Sequence, residues 1–120
     1  MRKGKMIAQG SHASMAFLTK YAAVDSHGIL TNFDEDVKNL DWKEIKEWIT
    51  NSFTKVCVYV ESEAELQEIH DRAWAAGLHS VMITDNGLTE FRGIPTKTCL
   101  AIGPHESSRI DAITKHLKLL

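Results

Sequence analysis

Residues 55–84 read KVCVYVESEAELQEIHDRAWAAGLHSVMIT, and this stretch decides the fold. After Lys55, the next five residues are apolar with almost no alternation, and three of them are β-branched, which is typical of a strand that is covered on both faces. Ser62 and Glu65 then form a capping box, which starts a helix. Residues 79–84 are apolar again and predict a second strand. A strand, a helix and a strand in about thirty residues indicate a βαβ unit with two parallel strands.

The flanking sequence adds further elements to this unit. Helical periodicity predicts one helix over residues 5–22 and another that begins at about Asp41. The polar residues 25–40 between them predict a loop. Residues 97–102 predict a third apolar strand, and residues 106–116 predict a last helix.

The length of 120 residues allows one domain, which spans residues 1–120. The predicted fold class is α/β, a single-domain mixed sheet of three strands with helices on both faces. Leu119 and Leu120 are expected to dock on its core. Four helices on three strands leave apolar surface or a strand edge uncovered. We therefore expect either a partner chain over this surface or a strand that precedes Met1.

The charge is distributed unevenly along the chain. The formal net charge is −2, yet residues 1–20 carry +4 and residues 92–120 carry +3, whereas the segment between them is acidic. If the fold brings the two ends together, one face becomes positive, and phosphate backbones are the usual partners of such faces. The alternative is solvated surface charge that has no partner.

Several classes of site are not supported by motifs. The chain contains neither GxGxxG nor a Walker P-loop, and its six histidines show no ligand-like pairing, so neither a nucleotide nor a metal is expected. Cys57 and Cys99 lie in apolar runs and are expected to be buried thiols, not nucleophiles. No apolar run approaches the roughly 18 residues of a membrane helix, and no signal-peptide core follows the N-terminus, which predicts a cytoplasmic protein.

One set of polar residues remains as a candidate site. Lys5 and Gln9 lie on one strip of the first predicted helix, together with His12. Asp85 follows the second strand and precedes Asn-Gly, so a turn-forming carboxylate is the alternative to a catalytic one. The other members lie in or beside the following loop: Thr89, Thr96 and Thr98.

Four sequence motifs, three of which contain members of this set, resemble those of a known protein family. Residues 1–13, MRKGKMIAQGSHA, resemble the K-G-K-x-x-A-Q-x-x-H element of the type 2 peptidyl-tRNA hydrolases. Residues 84–89, TDNGLT, are similar to the D-A-G-x-T loop of that family. Residues 98–104, TCLAIGP, match its T-x-L-A-I-G-P strand, and residues 114–120, TKHLKLL, match its terminal helix. The resemblance covers nearly the whole chain, with the motifs in family order.

The resemblance implies a mixed four-stranded sheet and hydrolysis of the ester between a peptide and the 3′-terminal ribose of tRNA. It assigns to the active-site cluster Lys5, Gln9, His12, Asp85, Thr89 and Thr98. The tRNA would lie on the basic residues of the two ends: Arg2, Lys3, Lys20, Arg92, Lys97, Lys115 and Lys118. The reaction it implies uses no cofactor and no metal. In it, the aspartate would orient or deprotonate water, and the lysine would stabilise the oxyanion or hold a phosphate.

The chain departs from the family pattern in three places. The family has an apolar strand before its first motif, whereas this chain begins at Met1, so three strands are predicted here instead of four. Asn86 and Leu88 replace a small and a basic residue, which predicts the loss of one phosphate or ribose contact. The segment 28–52 is longer than in many members, and the sequence assigns no role to it.

Two other interpretations remain open at this point. The chain could be a non-catalytic module that keeps the basic face and binds tRNA or a protein. It could also form a homodimer that pairs its open sheet edge, which is compatible with either function.

Overall fold

The computed structural model describes residues 1–28, 30–33, 37–88 and 91–120, and they form four helices and six short strands. The helices are α1 (Lys3–Thr19), α2 (Trp42–Thr50), α3 (Glu63–Ala75) and α4 (Ser107–Thr114). The strands are β1 (Ala22–Val24), β2 (Leu30–Phe33), β3 (Val58–Tyr59), β4 (Ser80–Asp85), β5 (Thr96–Ile102) and β6 (Lys118–Leu119). The predicted α/β class is confirmed, but the described strands form three separate antiparallel pairs instead of one mixed sheet of three strands. None of the described helices is both long and apolar enough to cross a membrane.

The longest ladder pairs β4 with β5 in antiparallel register, from Ser80 opposite Ile102 to Asp85 opposite Thr96. Both α1 and α3 pack on it. The side chain of Ser80 contacts His70 of α3, whereas the next residue, Val81, lines a groove with α1. Because successive side chains of a strand point to opposite faces, the two helices cover opposite faces of this ladder.

The predicted parallel pairing within residues 55–84 is wrong. Every strand pair in the described part of the chain is antiparallel, and β3 pairs with β6 instead of β4. The segment predicted as this strand is also not covered on both faces, because Val56 is 69% exposed and Tyr59 is 36% exposed. The composition of this segment favours an extended backbone but does not determine which strand lies beside it.

The apolar surface around β3 and β6 remains open, as the excess of helix over sheet predicts. Leu119 and Leu120 are mostly exposed, so the prediction that they dock on the core is wrong. Cys57 is exposed as well, contrary to its predicted burial, and Cys99 is only half-buried.

The segment after α1 forms a hairpin where the sequence predicts a helix end and a loop. The helix ends at Thr19, and β1 pairs with β2 in antiparallel register. Asp25 builds the connection, since its carboxylate accepts the N–H of His27 and its carbonyl accepts the N–H of Gly28. Gly28 has a φ of 78°, a conformation that favours glycine. The acidic run 34–36 lies outside the described residues.

The helices α2 and α3 begin where the sequence predicts, and each has a side-chain cap. Asp41 accepts the N–H groups of Lys43 and Glu44 at the start of α2, and Ser62 accepts that of Glu65 at the start of α3. Each such cap stabilises its helix by about 1 kcal/mol.

The main core cluster lies between α3 and α4. It consists of Ile69, Ala73, Leu78 and Ile113, with Val60, Leu100, Ile102 and Leu117 packed against it. Burial of each large aliphatic side chain contributes about 1.5–3 kcal/mol. This cluster holds α3 against the ladder that carries Asp85 and Thr98.

His79 is fully buried just before β4, among aromatic and imidazole groups. Its Nε2 lies 3.0 Å from the hydroxyl of Tyr21, and the ring of Trp74 meets it edge-on. Its backbone N–H donates to Nε2 of His105, whose Nδ1 is 2.9 Å from a carboxylate oxygen of Glu44. This chain of contacts ties the start of β4 to α2.

Burial is the main cause that lowers the pKa of His79 to about 4, and the nearby charges of His105, Lys20 and His70 contribute to this shift. Its Nδ1 is buried and has no hydrogen-bond partner among the described residues, so a second ring proton would be left unpaired. The imidazole is therefore neutral at pH 7.

Candidate functional site

Lys5 and Asp85 meet across eighty residues of sequence. The ammonium Nζ lies 2.9 Å from Oδ1 of Asp85, and the two side chains are only 15% and 9% exposed. α1 supplies the lysine from its first turns, and β4 supplies the aspartate as its last residue. The ammonium of Lys5 and the carboxylate of Asp85, which belong to separate sequence motifs, therefore form one ion pair.

Gln9 lies one turn after Lys5 and is 4% exposed. Its Nε2 donates to Oδ1 of Asp85 at 3.4 Å, and its Oε1 accepts the hydroxyl of Thr98 at 2.7 Å. Because the hydroxyl proton occupies the amide oxygen, the amide NH₂ group turns towards the carboxylate. One amide thus links β5 to the Lys5–Asp85 pair.

A bulge in β5 explains how Thr98 reaches this amide. Cys99 is opposite Ile83, but the next pair joins Lys97 to Thr84, so Thr98 is the extra residue. In a regular strand, adjacent residues face opposite sides of the sheet. Here both residues contact Gln9: the hydroxyl of Thr98 donates to its side chain, and Sγ of Cys99 donates to the backbone carbonyl of Gln9 at 3.3 Å.

The second oxygen of Asp85 fixes the loop that follows. Oδ2 accepts the backbone N–H of Gly87 at 2.9 Å, so Asp85 forms the turn predicted as its alternative role in addition to the ion pair. Gly87 has a φ of 81°, and a Cβ at this position would collide with the backbone of Ile94. Glycine is therefore required where the loop folds back beside the carboxylate.

The pKa of Asp85 lies below its usual value. The hydrogen bond from Lys5 is the main cause; burial opposes it, and the N–H of Gly87 and the charges of Lys5 and His12 lower the pKa further. The group is an ionised carboxylate at neutral pH, held in place by donors on three sides.

The comparisons with known proteins agree with this geometry. The family described as "Peptidyl-tRNA hydrolase PTH2" matches residues 1–120. The chain belongs to this family. The peptidyl-tRNA hydrolase of Methanocaldococcus jannaschii is 40% identical over all of this chain and 90% of its own length. That of Methanothermobacter thermautotrophicus is 37% identical over 100% of this chain and 89% of its own. The probable peptidyl-tRNA hydrolase 2 of Dictyostelium discoideum is 34% identical over 99% of this chain and 49% of its own.

The other members of the predicted set of polar residues are placed less closely. His12 is exposed on α1, and its charge acts on Asp85 without a direct bond. Thr96 donates its hydroxyl to the carbonyl of Ile94, outside the cluster. Thr89 lies outside the described residues.

The seven basic residues predicted to bind tRNA are all exposed. Lys97 donates to the side chain of Gln67 on α3, and the ammonium of Lys20 lies 5.6 Å from the ring centroid of Tyr21. Their contact with RNA stays a prediction.

Two parts of the site are not indicated by the sequence motifs. The N–H of Gly87 is a main-chain group, which the Asp-Asn-Gly sequence could have indicated as a turn donor. Cys99 touches the backbone of Gln9, although its sequence context indicated only core packing. Burial raises the pKa of its thiol, which the hydrogen bond with Thr98 only partly offsets, so Cys99 is a protonated donor at neutral pH.

In the described ranges, no three His, Cys, Asp or Glu side chains converge as metal ligands.

Proposed function

We propose that this chain hydrolyses the ester that joins a peptide to the 3′ end of tRNA. The observation that carries this function is the Lys5–Asp85 pair, bridged by Gln9 to Thr98, in a chain that belongs to the PTH2 family. A carboxylate, an ammonium and an oriented amide in one partly buried cluster are groups that water-driven acyl transfer requires.

Asp85 orients the attacking water in this proposal. Its carboxylate offers about four acceptor positions, and the described bonds come from Lys5, Gln9 and Gly87. A water held at this carboxylate attacks the acyl carbon and gives up a proton, while the carbonyl oxygen becomes an oxyanion. A carboxylate with a lowered pKa is a weak proton acceptor, so positioning of the water contributes more than full deprotonation.

Lys5 stabilises the charge that develops on the substrate. Its ammonium lies beside the carboxylate in a site with little solvent, where a fixed charge acts on an oxyanion more strongly than in water. The tetrahedral species then collapses: the bond from carbon to ribose oxygen breaks, and that oxygen leaves with the proton that the attacking water gave up, passed on through the carboxylate of Asp85. The products are the peptide acid and tRNA with a free 3′ end.

Hydrolysis of an N-acetyl-aminoacyl-tRNA tests this assignment. Asp85→Asn and Lys5→Ala should each lower kcat/KM by about a hundredfold, since each removes a charged group from the reacting centre. Asp111→Asn, which changes an exposed carboxylate on α4, is the matched control and should retain full activity. Full turnover by a folded Asp85→Asn variant would refute the assignment.

The basic residues of the two chain ends would hold the tRNA. Arg2 and Lys3 stand at the start of α1, next to the catalytic Lys5, so an acceptor stem bound there would bring its 3′ end to the site. Binding through phosphates weakens steeply with salt. Salt-sensitive binding of tRNA with no ester cleavage would favour a non-catalytic module instead.

We further propose that the chain acts as a homodimer in the cytoplasm, where translation supplies its substrate. The surface around β3 and β6 contains three exposed apolar side chains, those of Val56, Tyr59 and Leu119. A second copy of the chain would cover this surface. Light scattering on dilution measures the association, and a monomer at all concentrations would contradict it.

A further inference from the structure

A groove of about 410 Å³ lies between α1 and β4. Its apolar wall combines Met15 and Ala16 of the helix with Val81 and Ile83 of the strand. Along α1, the groove extends from Ser11 to Lys20, a distance of about 13 Å at the helical rise. Met15 is part of this wall and is 54% exposed, so the groove presents an accessible apolar surface.

One end of the groove lies close to the Lys5–Asp85 site. Ile83, which lines the groove, lies two residues before Asp85, and its carbonyl accepts the hydroxyl of Thr98 at 3.4 Å. His12 also lines the groove, and its charge acts on the carboxylate of Asp85. A molecule that reacts beside Asp85 can therefore extend into the groove without leaving the surface.

The strand beside the groove has an edge that is only partly used. Among the residues that the structure describes, β4 pairs with β5 alone. The N–H of Gly103 donates to the carbonyl of His79, so the backbone groups of residue 79 point towards the neighbouring strand β5. Because this direction alternates from one residue to the next in an antiparallel ladder, the backbone N–H and carbonyl of Met82 point away from β5. At Ser80 the outward carbonyl already accepts the indole N–H of Trp74 at 3.0 Å. This edge can form hydrogen bonds with an extended peptide.

We propose that this groove binds the peptide part of peptidyl-tRNA as an extended segment along β4. The inference rests on the proposed function and names the part of the substrate that the groove takes. About four extended residues span the 13 Å available, at about 3.3 Å each. The apolar wall suits peptide side chains and does not suit phosphates, which lose hydration against apolar atoms.

Recognition through a strand edge also fits the chemistry of the substrate. A peptidyl-tRNA can carry a peptide of any sequence, so a pocket for particular side chains would reject most of them. Main-chain hydrogen bonds to an edge strand are the same for nearly every sequence, and alternate side chains need only enter an apolar wall.

The test compares two substrates that carry the same residue at the ester. One is N-acetyl-leucyl-tRNA, and the other carries an N-acetylated tetrapeptide of alternating alanine and leucine that ends in leucine. We expect kcat/KM to be about tenfold higher for the longer substrate, because it buries one further leucine and gains edge hydrogen bonds. Met15→Glu should remove this preference, whereas Ile7→Glu, which places the same charge at an exposed position of α1 outside the groove, should keep it.

The outcomes separate the groove from the function. Cleavage of both substrates with equal kcat/KM would overturn the groove assignment and leave the ester hydrolysis standing. A preference that persists in Met15→Glu would overturn it as well. If the folded protein cleaves neither substrate, the proposed function fails, and direct binding decides the groove. Millimolar N-acetylated tetrapeptide acid should then shift the backbone amide signal of Met82 in wild type and not in Met15→Glu; no shift in wild type would overturn the proposal.

Discussion

At the scale of single residues, Gln9 determines how the site is arranged. Its amide oxygen accepts Thr98 and its amide nitrogen donates to Asp85, so the two strands are joined through one side chain of α1. The spacing of Lys5 and Gln9 predicts their shared face, because residues four apart on a helix are neighbours. The position of Thr98 could not be predicted, since strand alternation places it opposite to Cys99 and only the bulge turns both towards the helix.

Thr98→Val should lower kcat by about tenfold. The substitution leaves the buried amide oxygen of Gln9 without its donor and permits the amide to turn, which costs about 1–3 kcal/mol at this group. Thr98→Ser keeps the hydroxyl and should restore most of the activity, and Thr96→Val, which removes a hydroxyl outside the cluster, should have little effect. Steady-state hydrolysis measures all three, and wild-type turnover by Thr98→Val would show that the bridge is not needed.

At the scale of elements, local signals were reliable and long-range pairing was not. The caps Asp41 and Ser62 mark helix starts because the bonds they make are within three residues. Residues 55–60 predict a strand, which the structure forms only at Val58–Tyr59, and their composition carries no information on the neighbouring strand, which is β6. The hairpin of β1 and β2 was missed because its strands are short and its polar residues are typical of loops.

The turn after β4 gives a prediction at this scale. Gly87→Ala should lower the melting temperature and reduce hydrolysis, because the new Cβ is strained at this φ and also collides with the backbone of Ile94. Gly93→Ala is the matched control: its φ of 76° carries the same strain, but a Cβ there has no atom within 4 Å. Thermal unfolding followed by circular dichroism compares them. Equal melting temperatures would mean that the approach of Ile94 does not constrain the turn.

At the scale of the whole molecule, stability depends on a neutral His79 at the junction of α2, α3 and β4. The pKa of this imidazole is about 4 in the folded chain against 6.5 for an ordinary histidine. Below pH 6.5 the unfolded chain takes up a proton that the folded chain excludes, so stability falls until the pH reaches about 4. Burial also lowers the pKa of His70, which acts in the same direction.

The free energy of unfolding should therefore fall by about 2–3 kcal/mol between pH 7 and pH 4 through His79 alone. His79→Gln removes this titration while keeping a polar group that can reach Tyr21, so its unfolding free energy should depend less on pH. His27→Gln, an exposed histidine in the β1–β2 turn, should not change the slope. Urea titrations at several pH values measure the slopes, and parallel curves for wild type and His79→Gln would contradict the assignment.

The bulge in β5 has one more consequence. Since Thr98 is the surplus residue, its removal would leave Lys97 and Cys99 as adjacent partners of Thr84 and Ile83 in an uninterrupted ladder. Such a shortened chain would gain regularity in its sheet and lose the hydroxyl that orients Gln9. Deletion of the Thr98 codon should thus abolish hydrolysis while making the β4–β5 ladder more regular.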